Sequence, residues 1–207
     1  QYIAIPADWL SEKPQHLSME QAAGIGVPYL VSWGSLVDAA HIQQDETILI
    51  TGALGGVGRA ATQIAHWKGA KVIGADIVDA PSEADSMINS KNQDLVAEVK
   101  RLTNGKGVDM VFDTVGGALF EPSLNCLRRG GRQVAINSAG TQRVEFNLVD
   151  FYHELKQLIG VDSMKFTGPD IARQLNELRA GFEQGYLKPL AVETWPFSKA
   201  VEAYQAV

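Results

Sequence analysis

The sequence has a single cysteine, Cys126, among 207 residues. A lone thiol excludes an intrachain disulfide and a zinc cluster built from cysteines of this chain, and it points to a reducing compartment. Cationic residues are in the minority, with 18 Lys and Arg against 24 Asp and Glu for a formal net charge of −6. Without a dense basic run there is no positive field to hold nucleic acid or an anionic membrane, so a small-molecule partner is expected. No apolar run approaches the roughly 18 residues needed to span a bilayer. The stretch Gln1 to Pro6 also lacks the charged-then-apolar plan of a signal peptide, and these absences predict a cytoplasmic location. His16, His41, His66 and His153 are scattered without ligand spacing, so no metal is assigned. Ser35 and Ser138 lack the Gly-x-Ser-x-Gly elbow and a paired His, which leaves serine hydrolysis unsupported. The chain starts without Met and ends in a periodic apolar segment, as expected of a piece of a longer protein.

What the sequence does have is 45% hydrophobic residues, enough for one sizeable core at this length. Beyond the first 45 residues, short β-branched runs alternate with helical patterns, the mark of βαβ units around a parallel sheet. The expected fold class is α/β, a doubly wound, mostly parallel sheet with helices on both faces. Thr47–Thr51 reads as a buried central strand, a helix follows over 57–68, and Lys71–Asp76 reads as the second strand. The next stretch, 80–85, holds barely one helical turn where a full crossover helix is wanted, and Met87 with Ile88 forms a short third strand. A helix over 94–102, the strand 108–113, a helix over 120–127 and the strand 132–137 follow. The strand 158–162 and a long amphipathic helix from Pro169 to about Gly185 complete the pattern.

The chemistry concentrates where the first strand ends. In Gly52-Ala53-Leu54-Gly55-Gly56-Val57-Gly58, the small residues Ala53, Gly55 and Gly58 occupy the three glycine positions of a G-x-G-x-x-G turn. A diphosphate can approach such a turn only where no Cβ obstructs it, and the helix behind it aims free N–H groups and its positive dipole end at the phosphates. The expected ligand is NAD or NADP, gripped by Ala53, Leu54, Gly55, Gly56, Val57 and Gly58. Asp76, eighteen positions after Gly58, ends the second strand, where a carboxylate accepts bonds from ribose hydroxyls and repels a 2′-phosphate. With Ile77 beside it and no Lys or Arg before Lys91, Asp76 favours NAD. Thr114, Val115 and Gly116 end one later strand, and Asn137, Ser138 and Ala139 end the next. Both sets open onto the carboxyl edge of the sheet, where ligands of this fold bind. Cys126, between Leu124 and Leu127, reads as a small core residue rather than a nucleophile.

With these residues in hand, the chain resembles the cofactor-domain portion of the medium-chain dehydrogenase/reductase superfamily, nearest its zinc-independent quinone oxidoreductase branch. The resemblance rests on Leu17 to Ala23, on the 53–58 turn, on Gly105 to Asp109 with Asp113 to Gly117, on Leu124 to Gly131, on Gly185 to Leu190 and on Pro196 to Ala200. It implies three parts. Residues 1–45 would be lead-in helices joining a GroES-like catalytic domain outside this sequence, 46–185 the Rossmann domain, and 186–207 a return segment toward that domain. It implies hydride transfer to a quinone, enone or related carbonyl compound, with the catalytic residues outside the fragment and the fragment alone inactive. Zinc-dependent relatives carry a Cys ligand after the first helix where Val27 stands here, which favours the zinc-free branch. It further implies a homodimer formed through the edge strand 158–161. Two other readings stay open: a zinc-dependent alcohol dehydrogenase cofactor domain, and a non-catalytic module that senses NAD(P). The short 76–87 crossover, and Ser90 where quinone reductases often carry Tyr, depart from the family pattern.

Overall fold

In this computed structural model, which describes residues 2–206, six parallel strands form one sheet in the order β3-β2-β1-β4-β5-β6. The strands are β1 (Thr47–Thr51), β2 (Lys71–Asp76), β3 (Ser86–Asn89), β4 (Val108–Asp113), β5 (Leu127–Ala135) and β6 (Gln157–Gly160). The order reverses between β1 and β4, so this doubly wound fold has its crevice at the carboxyl ends of those two central strands. Side chains alternate across the sheet as strand geometry demands. Ile48 and Ile50 pack into one core, and Leu49 between them packs into the other.

The first core lies under the helices α1 (Met19–Trp33), α2 (Gly56–Trp67) and α6 (Gly168–Glu183). Helix α1 begins at Ser18, whose hydroxyl accepts from the Gln21 amide while the Gln21 side chain reaches back to the Ser18 N–H. Tyr29 on α1 is fully buried against Phe182 of α6, edge to face at 5.0 Å. Helix α2 turns Ala60, Ala61, Ile64 and Ala65 inward; these small residues let it lie close to the sheet. Leu17 and Leu187 join the same core, so the segments just before α1 and just after α6 pack onto this face. The second core lies under α3 (Leu95–Leu102) and α4 (Phe120–Asn125), with α3 started by Asp94 accepting from the Ala97 amide.

The short crossover contains no helix at all: residues 77–85 run as bends between β2 and β3. Side-chain bonds take the place of helix packing. The Asp85 carboxylate accepts from the Val72 amide at 2.7 Å and meets His66 Nε2 at 3.1 Å, while Ala84 and Met87 fill the core edge where a helix would lie. Beyond α4 the structure corrects the expected elements. The helix stops at Asn125 rather than continuing to Leu127, and β5 starts at Leu127 rather than Arg132 and ends at Ala135 rather than Asn137. The cause is a bulge. Leu127 pairs with Val108 and Arg132 with Met110, and Gly130, at φ +73°, lets the surplus residues loop out between those pairs. Strand β6 covers Gln157–Gly160 and forms one edge of the sheet, with Leu158 partly exposed; the remaining helices are α5 (Leu148–His153) and α7 (Ala200–Gln205).

Candidate functional site

At the crevice the backbone leaves β1, turns at Gly52 with φ +62°, and enters α2 at Gly56. The first amides of any α-helix have no partner within it, and the N-cap residue Gly55 brings no side chain to satisfy them. The N–H groups of Gly56, Val57 and Gly58 thus stand at the positive end of a twelve-residue helix dipole. They border a cleft of about 460 Å³ lined by Gly52, Gly55, Gly56, Val57, Gly58, Thr114 and Asn137 and closed by the segment after β6. That volume is in the range of small-molecule sites. A somewhat larger cavity, about 520 Å³, lies at the opposite edge of the sheet. Strand beginnings and the carbonyl end of α3 border it, so it offers the wrong backbone polarity for a phosphate.

The residues singled out from the sequence fall into two groups. Gly55, Gly56, Val57, Gly58, Thr114 and Asn137 line the cleft directly. The others lie outside its lining. Ala53 is buried beneath the turn, its amide donating to the Ala75 carbonyl at 3.2 Å. The Leu54 amide donates to Asp76 Oδ2 at 3.0 Å, and the Ile77 amide to Asp76 Oδ1 at 2.8 Å, so the Asp76 carboxylate clasps the turn after β1. Ile77 is exposed beside it. Gly116 is buried at φ +64°, where a Cβ would collide with the carbonyl of Asn137 and come within 2.8 Å of Ser138 Cα. Val115 accepts the Ala139 amide at 2.7 Å, which holds the 114–116 and 137–139 turns together. Ser138 is half-buried and Ala139 exposed, and neither lines the cleft.

Sequence reasoning missed Val31, Ile136 and the run Val161, Asp162, Ser163 and Met164, all of which line the cleft. The run follows β6, and the rule that every strand's carboxyl end borders the crevice could have found it. Val31, on α1, carries no local signal. Among the described residues no three His, Cys, Asp or Glu side chains are grouped to hold a metal ion. No helix among them is long and apolar enough to cross a membrane. Cys126 is buried, and burial pushes its thiol up to about 12.

A parallel doubly wound sheet with a glycine-lined helix start at its switch point defines the class: a nucleotide-binding α/β domain. The family profile described as zinc-binding dehydrogenase matches residues 56–178. A quinone oxidoreductase of Pongo abelii is 30% identical over 211 residues, covering 99% of this chain and 64% of its own length. The structure of a quinone oxidoreductase from Pseudomonas syringae superposes with a TM-score of 0.84 at 26% identity, covering 96% of this chain and 64% of that one. An Escherichia coli quinone oxidoreductase solved in complex with NADPH superposes with a TM-score of 0.77 at 30% identity, covering 86% of this chain and 58% of that one. The chain belongs to the zinc-binding dehydrogenase family, as a quinone oxidoreductase-like cofactor-binding portion of the medium-chain dehydrogenase/reductase superfamily. It spans 64% of the length of the Pongo abelii relative.

Proposed function

We propose that this chain is the coenzyme-binding part of a zinc-independent NAD(P)-dependent oxidoreductase that reduces a quinone, enone or related carbonyl compound by hydride transfer. The observation that carries this reading is the free amide edge of Gly56, Val57 and Gly58 facing a cleft of ligand size. Those amides would hold the diphosphate by hydrogen bonds and helix dipole. Asp76 would accept from the adenosine ribose, and its charge opposes a 2′-phosphate, so NAD is favoured over NADP. Thr114, Val115, Ser138 and Ala139 would flank the nicotinamide side. The coenzyme, when bound, supplies the hydride; the protein groups here orient it and exclude water from one face. Val27 at the position of a zinc-ligand Cys supports the zinc-free assignment. Support for the reaction class comes from the relatives described as quinone oxidoreductases.

We assign 1–45 and 186–207 to the junction with a catalytic domain, 46–185 to coenzyme binding, and the protein to the cytoplasm. On this reading the piece alone binds coenzyme but turns over no substrate. A homodimer through β6 is part of the same proposal. The edge strand presents unpaired backbone groups, and Leu148, Val149, Tyr152, Leu155 and Leu158 form an exposed apolar set beside it. Gel filtration should give a dimer, and a monomer at all concentrations removes the proposal.

The coenzyme assignment is tested by titrating the chain with NADH and NADPH, then repeating with Asp76→Ser and Asp76→Asn. Both variants should lose the preference for NADH. Asp76→Asn retains an acceptor for the Leu54 amide and separates the loss of charge from the loss of the clasp. Unchanged selectivity in both variants rules out Asp76 as the discriminator, and no uptake of either coenzyme by the folded wild-type chain rules out the function.

A further inference from the structure

Asp113, the last residue of β4, is fully buried, and no cation pairs with it among the described residues. A buried carboxylate without a counter-ion persists only where hydrogen bonds replace its lost hydration. Four donors do so here. Oδ1 accepts from Thr51 Oγ1 at 2.8 Å, from the Gly116 amide at 2.8 Å and from the Val115 amide at 3.2 Å; Oδ2 accepts from Gln133 Nε2 at 3.3 Å. Sheet pairing does not require any of these bonds, and an apolar residue of similar volume would fill the same space without needing them.

What the carboxylate gathers is the set of turns around the cleft. Thr51, drawn to Asp113 by its hydroxyl, is the last residue before Gly52 and the nucleotide turn. Its Oγ1 accepts the Thr114 amide at 3.0 Å, and its carbonyl accepts the Thr114 hydroxyl at 2.7 Å. Thr114 is thereby seated against Gly52, where a Cβ would stand 2.5 Å from Thr114 Oγ1. Beyond it, the Thr114 carbonyl accepts Asn137 Nδ2 at 3.3 Å and the Val115 carbonyl accepts the Ala139 amide. The 51–58, 113–117 and 136–139 turns are one hydrogen-bonded unit with Asp113 at its base.

We propose that Asp113 is a positioning residue: acting through Thr51 and the Val115 and Gly116 amides, it fixes the wall of the cleft that receives the nicotinamide half of the coenzyme. This rests on the coenzyme reading above. Asp113 itself stays beneath the wall and touches no ligand. Its loss should spare the diphosphate grip, which depends on the start of α2, and weaken only what Thr114 to Gly116 contact.

Asp113→Ala removes the acceptor of all four donors and can unfold the chain, so the informative variant is Thr51→Val, which deletes the linking hydroxyl at constant volume. Binding of NADH and of ADP-ribose, which lacks the nicotinamide, is measured with thermal midpoints alongside. Thr51→Val should weaken NADH binding about tenfold, the scale of one buried hydrogen bond. ADP-ribose affinity should stay within about twofold on the same scale, and Thr51→Ser should restore NADH binding. Equal loss for both ligands, or no loss for either, overturns the proposal. Amide hydrogen exchange reads the same claim without a ligand. Thr51→Val should speed exchange at Thr114, Val115 and Gly116 while leaving Val72 to Ala75 unchanged, and unaltered protection at 114–116 overturns it. Failure of the wild-type chain to bind NADH, with that exchange pattern intact, defeats the coenzyme reading and not the positioning of the wall.

Discussion

The Cα of Ala53 lies 2.6 Å from the point where a Cβ on Gly58 would stand, and the carbonyl oxygen of Gly52 is closer still. Both obstacles are backbone, so neither can swing aside. Gly58→Ala must push α2 off the turn, at a cost of about 2–3 kcal/mol typical of overpacking. Urea unfolding should show a lowered midpoint, and NADH binding should fall with it. Gly26, inside α1 with nothing near its Cβ position, is the control: Gly26→Ala should stabilise by about 0.5–1 kcal/mol through helix propensity.

Glu46 and Arg132 form a forked pair, NH1 to Oε1 at 2.8 Å and NH2 to Oε2 at 2.7 Å, with both side chains more than four-fifths covered. Arg132 also donates to the Ala40 carbonyl, so the pair ties β5 to the chain leading into β1. Glu46→Ala leaves the guanidinium without its partner carboxylate and should cost about 3 kcal/mol. The expected readout is a lower urea midpoint with an unchanged m-value.

Cys126 lies among Leu95, Leu124 and Leu127, and burial holds its thiol near 12. At pH 8 the native protein should therefore give no reaction with a disulfide reagent on the timescale of a mixing experiment. One thiol per chain should appear in guanidinium chloride. Rapid labelling of the folded chain would contradict the packing of α4 against the sheet.

Burial raises the pKa of Asp85, but the Val72 amide and His66 outweigh it and hold the carboxyl below its ordinary value of 3.8. A depressed folded-state pKa means the contribution to stability is complete above about pH 4 and is lost as the pH falls through the lower, folded value. Asp85→Asn should lower the thermal midpoint at pH 6. It should also narrow the gap between pH 6 and pH 3 relative to wild type, and an equal gap in both proteins would show that this contact does not contribute.

Local patterns were readable wherever a short-range physical rule decided them. Continuous apolar runs marked β1 and β2, the spacing of Ala53, Gly55 and Gly58 marked the turn, and Asp94 marked the start of α3. The missing crossover helix was also legible, because 80–85 lacks the residues to build one. The β5 boundary was not, since Gly130 and Gly131 look like a turn and act as a bulge only when Leu127 has Val108 to pair with. Half of the cleft was equally hidden: Val31 and Met164 are 133 positions apart in the chain and meet only across the folded crevice.

The amino-acid order alone determined the α/β rhythm, the glycine turn and the carboxylates at strand ends, because each follows from contacts within a few residues. Tertiary structure alone decided that Asp76 would clasp Leu54, and that Asp113 would bind Thr51 and so join three turns into one wall. A carboxylate's partners depend on which strands lie side by side. That arrangement comes from burying both faces of the sheet at once, which no local stretch of sequence encodes.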